Sequence, residues 1–417
     1  MLFLTFFLLL LPAVASAETA ANTDSRAGQI EAERLEKAGN LKPPAPDRFE
    51  RAVIRVENNL VYKGLTNTSG AGFGLRFGGL ETGSSLGFGP QYLRPDLLRE
   101  KLYLRASASG SFKWYWSADA LLSLPRLVNR RLQLDLYALH SDAPQVSYYG
   151  PGNDSNQENR TNFRRETSLA DFRGVWRVDR RHVLAGATVG IRSYNAGPGA
   201  SGAYPSADQV FGTLQTPGLD RQSSFLNVGP LFQLDFRDRK NDPRRGTNFV
   251  TRYSYWSDRN SQFFSFRRLE SAIEQYVPIL NEKRVFAFRA RTDFSFTESG
   301  RQVPFYLQPT LGGADDLRGF GNFRYYDNNR VLMNMEYRWE IAPALEAAIF
   351  GDAGRVFAHP EQFSLSHLKE SVGIGFRFKT RDSVAFRIDI GVSREGVQIW
   401  FKFNGPFQGQ GLLHNIL

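Results

Sequence analysis

From residue 70 to residue 404 the chain alternates apolar and polar side chains with a period of two. The pattern is plainest near the end. Within 371–379, Val372, Ile374, Phe376 and Phe378 share one phase, and Gly373, Gly375, Arg377 and Lys379 take the other. Within 384–391, Val384, Phe386, Ile388 and Ile390 oppose Ala385, Arg387, Asp389 and Gly391. Within 396–404, Val397, Ile399, Phe401 and Phe403 oppose Gln398, Trp400, Lys402 and Asn404. Further back, Phe286, Phe288, Phe294 and Phe296 oppose Arg289, Arg291, Asp293 and Ser295, while Leu132, Leu134 and Leu136 oppose Gln133, Asp135 and Tyr137. Successive side chains of a strand point to opposite faces, so each stretch predicts a strand with one apolar and one polar face.

A soluble sandwich alternates too, but its strands usually run to about five or six residues. Here the segments reach roughly ten, the length that crosses a bilayer at a tilt. Their apolar faces are rich in Phe and their polar faces carry Arg with Gly. Apolar-out and polar-in is the pattern of a transmembrane barrel, and we count about sixteen segments. Closure removes every sheet edge, which lipid would leave unsatisfied. An even count places both chain ends in the periplasm. The connections Pro95–Arg99, Asn241–Gly246 and Thr380–Asp382 read as short periplasmic turns. The polar insertions Asp142–Asn162, Asn195–Gln222 and Gly300–Asn328 read as outside loops, each following an odd-numbered strand. The predicted class is all-β: a transmembrane antiparallel β-barrel of about 16 strands with a short N-terminal helical leader.

Residues 1–17 read as a signal peptide, apolar from Leu2 to Val14 and closed by Ala15-Ser16-Ala17. No Lys or Arg precedes the apolar run. Residues 18–69 form a periplasmic leader. It has helix formers over Gln29–Ala38, a stiff linker at Lys42-Pro43-Pro44-Ala45-Pro46, and apolar residues at helical spacing (Val53, Val56, Leu60, Val61) that predict a short amphipathic helix, with an extra strand as the alternative. Residues 70–407 are the barrel and 408–417 a C-terminal extension.

Composition narrows the picture. A mean hydropathy of −0.37 excludes a helical membrane protein. Aromatics at 13% and charged residues at 23% exclude general disorder. The absence of cysteine excludes a disulfide scaffold, a thiolate metal site and cysteine catalysis. The net charge of +10 invites a nucleic-acid reading. Export argues against nucleic acid, and arginines lining an aqueous lumen or meeting lipid phosphates account for the charge. His140, His182, His359, His367 and His414 are scattered, with no His-x-x-x-His or Gly-x-Ser-x-Gly context, so no catalytic residue is assigned and the chain is not read as an enzyme. No metal site or cofactor is expected; Asp315, Asp316 and Asp327 could hold a calcium ion in the loop, but such paired aspartates read as solvated loop carboxylates.

The most specific segment is Leu311-Gly312-Gly313-Ala314-Asp315-Asp316-Leu317-Arg318-Gly319-Phe320, between the eleventh and twelfth strands. It is followed by Asn334-Met335-Glu336-Tyr337-Arg338 and Phe350-Gly351-Asp352-Ala353-Gly354. With Asp235-Phe236-Arg237-Asp238, Pro243-Arg244-Arg245-Gly246 and Tyr149-Gly150-Pro151-Gly152-Asn153, these motifs make the chain resemble the bacterial surface-antigen barrels, the superfamily of the outer-membrane assembly factors BamA and TamA. The resemblance covers nearly all of 70–407. It implies that the sixth outside loop folds back into the lumen and that Arg318, at the Arg-Gly-Phe tip, meets Asp352. Asp352 is in phase with Phe350 and Gly354, so it can face the lumen, and Glu336 and Arg338 share the lumen phase of strand twelve. Arg318, Gly319, Phe320, Glu336, Asp352 and Gly354 are the expected lock. Gly312 and Gly313 supply the backbone freedom of a re-entrant path.

The resemblance further implies a role in outer-membrane protein or lipid assembly, insertion or translocation; the alternative is a passive or plugged channel. It implies the bacterial outer membrane as the location. The partners it implies are outer-membrane lipids and lipopolysaccharide, unfolded outer-membrane clients and a POTRA-containing periplasmic protein. That last partner is expected because 18–69 has no room for a POTRA domain, which places the chain in a barrel-only branch. Family members open between first and last strands; here Gly72, Gly74, Phe401 and Phe403 would line that seam, with glycine weakening the first strand. Phe403 and Phe407 are both candidates for the terminal aromatic on which many such barrels end.

Overall fold

The computed structural model describes residues 71–403 with short interruptions, together with Phe407 and three isolated leader positions. Those three, Gln29, Glu33 and Glu36, are helical and exposed. The expected signal peptide, Pro-rich linker, amphipathic helix, the turn Thr380–Asp382 and the extension 408–417 lie outside the described residues. The chain divides into two compact units, Met1–Ala52 and Val53–Leu417, and the second contains all of the sheet.

Sixteen strands form one sheet in which each is hydrogen-bonded to its neighbours in sequence order. They are β1 (Gly72–Phe77), β2 (Gly87–Asp96), β3 (Leu102–Ser111), β4 (Trp116–Arg126), β5 (Leu132–Tyr148), β6 (Thr161–Arg177), β7 (Val183–Pro198) and β8 (Ser223–Asp235). The second half comprises β9 (Gly246–Asp258), β10 (Phe266–Ile279), β11 (Arg284–Phe296), β12 (Asn329–Ala342), β13 (Leu345–Phe357), β14 (Lys369–Lys379), β15 (Val384–Ser393) and β16 (Gly396–Lys402). A separate ribbon, Thr310–Leu311 paired with Tyr325–Tyr326, lies in the β11–β12 loop.

The two phases of the alternation separate as expected. Leu136, Phe288, Phe296, Ile374, Val397, Ile399 and Phe401 are exposed on the outer face, while Asp135, Arg289, Asp293, Arg377, Arg387 and Asp389 are buried on the inner one. In water that outer face would be an aggregation hazard; in lipid it is the solvated surface. The inner charges are taken up in pairs, such as Arg173 with Asp135 (2.6 Å) and Arg387 with Asp389 (2.6 Å).

Of the segment predicted over 70–79, the described residues Gly72–Phe77 form a strand. One expectation needs correction. The insertion Asp142–Asn162 begins and ends in strand, because β5 and β6 run to 17 residues each and the ladder continues to Tyr148↔Thr161. A bulge between Ala143 and Val146 explains why the pattern misled. One inserted residue swaps the faces, so Val146 and Tyr148, in phase with the outward Leu136, turn inward and are fully buried.

Those inward residues begin an apolar cap under the outside loops. Tyr148 packs edge-on against Phe211 (5.1 Å), Phe305 (5.2 Å) and Tyr326 (4.9 Å), and Phe163, Tyr194, Phe225, Trp256 and Phe266 extend the cluster. The Tyr326 hydroxyl donates to the Ser147 carbonyl at 2.9 Å, satisfying a polar group that burial would otherwise penalise.

Between β1 and β16, no backbone ladder occurs among the described residues. The two ends do touch: the Phe77 and Phe403 rings lie 6.4 Å apart. Gly72 and Gly74 lie in β1, and Phe401 and Phe403 are exposed beside the same seam.

Candidate functional site

The β11–β12 loop turns inward and docks on the inner face of β12–β16. Its turn back depends on Gly312 and Gly313, whose φ values are 113° and 107°. A Cβ on Gly312 would also lie 2.3 Å from the Gly321 carbonyl oxygen, so only glycine fits there. The ribbon at the loop's base is gripped from outside by the Tyr149–Asn153 segment, where the Gly152 amide donates to the Tyr326 carbonyl at 2.7 Å. Arg324 ties the same region together, donating to Glu395 (2.8 Å) and to the Ser155 carbonyl (2.7 Å).

Arg318 sits at the innermost turn and is buried. Its backbone amide, Nε and Nη2 donate to the Asp352 carboxylate at 3.0, 2.9 and 2.6 Å. Its Nη1 donates to Glu336. Glu336 also accepts from Arg377 Nη2 (2.8 Å) and Arg338 Nε (2.7 Å), so one carboxylate serves three guanidiniums. The Arg318 guanidinium carbon lies 3.4 Å from the centre of the Phe350 ring. A bidentate guanidinium–carboxylate pair with added amide donors suits a site this buried.

Strand register explains the convergence. Ala287, Glu336, Phe350, Gly373 and Gly391 are successive partners across β11–β15 and form one inner row. Arg289, Asn334, Asp352 and Ser371 form the adjacent row. Arg318 straddles the two. The small members make the room: a Cβ on Gly391 would lie 2.3 Å from the Arg318 carbonyl oxygen, and one on Gly319 would lie 2.6 Å from Ser371 Cβ.

The structure therefore brings Arg318, Gly319, Glu336 and Asp352 together. Gly354 supports the site from one step away, against the Leu311 side chain. Phe320 sits elsewhere, buried in an apolar cluster with Leu311, Leu317, Tyr325, Leu332 and Val356. Asp315 and Asp316, read as solvated, are instead half-buried and buried respectively, and both are paired. Asp315 accepts from Arg387 Nη2 (2.6 Å) and Lys402 Nζ (3.2 Å), and Asp316 accepts from Arg330 (3.2 Å). Sequence reasoning also left out Trp400, whose indole donates to the Arg318 carbonyl at 2.7 Å, and Asn334, which donates to Asp352 at 2.7 Å. Each carried the one available signal, a polar group in the lumen phase. Of the mid-barrel motif, Arg237 Nε donates to Asp235 at 2.8 Å, and the amides of Arg244 and Arg245 donate to Asp238 at 3.0 and 3.1 Å, shaping the β8–β9 turn. Among the described residues, no cluster of three His, Cys, Asp or Glu could hold a metal ion. The His140 ring lies tilted against Trp116 at 5.0 Å and pairs with the Ser168 hydroxyl at 2.8 Å on the outer face.

Residues 102–405 match the family model described as the Omp85 superfamily domain. The chain belongs to the Omp85 superfamily. Among solved structures, it is similar to BamA from Haemophilus ducreyi lacking POTRA domains 1-3, at 15% identity and a TM-score of 0.60, with 80% of this chain and 69% of that one covered. It is also similar to CdiB from Escherichia coli, at 13% identity and a TM-score of 0.53, covering 78% of this chain and 60% of CdiB. At these identities the likeness extends to the fold. No curated protein matches. Membership in the Omp85 superfamily accords with the resemblance carried by the loop and strand motifs, and this protein is accordingly an outer-membrane β-barrel of that family.

Proposed function

We propose that this Omp85 barrel inserts or translocates protein or lipid at the bacterial outer membrane, with substrate engaging the wall between β1 and β16. The observation that carries this reading is that, among the described residues, β1 and β16 share no ladder, beside an aromatic cluster buried under the outside loops. Backbone groups left unpaired in lipid are costly, about a few kcal/mol each. An edge of this kind can take up an incoming strand's hydrogen bonds. The β11–β12 loop acts as a lock: Arg318, Asp352 and Glu336 hold it to β12–β14, while Trp400 and Lys402 tie it to β16. Clients, lipopolysaccharide and a POTRA-containing partner are the interactions this reading calls for, with no chemistry performed on a substrate.

The cysteine-free chain allows a direct test. Phe77→Cys and Phe403→Cys place thiols where the rings now meet. Cross-linking the pair should abolish client assembly in proteoliposomes, and reduction should restore it. Unchanged assembly with the seam cross-linked would defeat the proposal. The second reading, a passive channel, is disfavoured by the aromatic cap. Planar-bilayer recordings should give small, flickering currents, and a large steady conductance would support the channel instead.

A further inference from the structure

Phe407 is one of the two candidates for the terminal aromatic. It lies inside the barrel, buried in a cluster with Tyr276, Val285 and Ala287. The Arg289 and Arg338 guanidiniums lie 4.6 and 5.5 Å from its ring centre. These residues belong to β10, β11 and β12, near the ends joined by short periplasmic turns. Phe407 follows the end of β16 by five positions. Five extended residues reach about 17 Å, enough to leave the wall and cross part of the lumen. The residue adopts a φ of 69°, a conformation unfavourable for a side chain of this size. Such a backbone persists where its surroundings hold it.

We propose that the inner cleft formed by Tyr276, Val285, Ala287, Arg289 and Arg338 is a binding site for an aromatic side chain carried on a peptide, and that its resident ligand is Phe407. The chemistry is specific to an aromatic. Val285 and Ala287 are small enough to leave an apolar floor, and two cations meet the ring, whose face is electron-rich. Arg338 Nη2 is buried without a hydrogen-bond acceptor among the described residues, so the ring is its compensating neighbour. Arg289 serves three partners, lying over Phe407 while donating to Asn334 (2.9 Å) and to the Asp315 carbonyl of the loop. The inference is independent of what the barrel transports.

The test replaces Phe407 with the photoreactive p-benzoylphenylalanine in the full chain, folded in outer membranes. Heat-modifiable migration on gels verifies the folded barrel. Irradiation should give an adduct within the chain, mapped to peptides containing residues 276–289 or 338. Ala287→Leu, which fills the floor, should cut that adduct about tenfold, the scale set by loss of the ring's contacts. An adduct with lipid, with another polypeptide or with β1, or no adduct from a folded barrel, overturns the site. An adduct undiminished by Ala287→Leu overturns it as well. Should Ala287→Leu fail to fold, the adduct map on the unaltered cleft still decides.

Discussion

Removing the Asp352 carboxylate should destabilise the barrel far beyond the value of one hydrogen bond. Asp352 accepts four hydrogen bonds within 3.0 Å, three from Arg318 and one from Asn334. In Asp352→Ala, Arg318 keeps only Glu336, which already serves Arg338 and Arg377. Three guanidiniums then share one carboxylate; the nearest further acid, Asp389, is 4.0 Å from Arg377. Breaking a buried pair by removing one partner costs about 3–5 kcal/mol, and the crowding of positive charge places this case toward the upper end. Arg318→Ala should cost about 3 kcal/mol, because Asp352 keeps Asn334 and Ser371 as donors. The double variant removes both charges together, so it should be no worse than Asp352→Ala alone, a coupling of about 3 kcal/mol. Urea titration in lipid micelles, followed by tryptophan fluorescence and heat-modifiable migration, measures all four corners. Single effects that simply add, within about 0.5 kcal/mol, would refute the reasoning. A reciprocal swap, Arg318→Asp with Asp352→Arg, should restore stability only in part, since Glu336 remains opposite position 318.

Other consequences are equally open to measurement. Gly391→Ala places a methyl group against the Arg318 carbonyl; it should expose the loop to protease in folded barrels, whereas unchanged cleavage would mean the wall yields instead. Phe305→Ala opens the centre of the cap, at a cost of about 3–5 kcal/mol, and should raise single-channel conductance. Asp327, in the loop before β12, has its carboxyl pushed up to about 6, first by burial and against the opposing Asn328 amide. Its folded pKa exceeds its unfolded value, so stability is lost as pH rises from about 4 to about 6. Asp327→Asn should therefore stabilise the loop by on the order of 1–3 kcal/mol at neutral pH and by nothing below about pH 4. Melting curves at pH 3.5 and 7.5 that show equal gains would contradict this.

The wall was legible because alternation is a local property: Phe286, Phe288, Leu134 and Leu136 announce their face from two positions away. The phase of Asp352 was legible for the same reason. What stayed hidden depends on register between strands. Nothing near Trp400 or Arg387 in sequence says that either meets the loop; that follows from partners such as Asp389↔Trp400 and Gly375↔Asp389 stacking neighbouring rows. The cap was hidden by a single bulged residue before Val146, which turned an apparent lipid face into an interior one. Phe407 misled because its sequence suits either lipid or lumen, and only the cleft across the barrel distinguishes them.

The spread of these contacts along the chain also sets an order of folding. Arg318 reaches Glu336 and Asp352 over separations of 18 and 34 residues, and Trp400 over 82. Phe77 and Phe403 are 326 positions apart (403 − 77). Closing a loop costs entropy that grows with its length, and distant contacts form late. The six strands β11–β16 should therefore condense first around their own loop, with the earlier strands joining them and the β1–β16 seam arriving last. Stopped-flow refolding should then show protection of Trp400 before that of Trp116, and the barrel would meet the membrane as a structured wall segment with a growing edge.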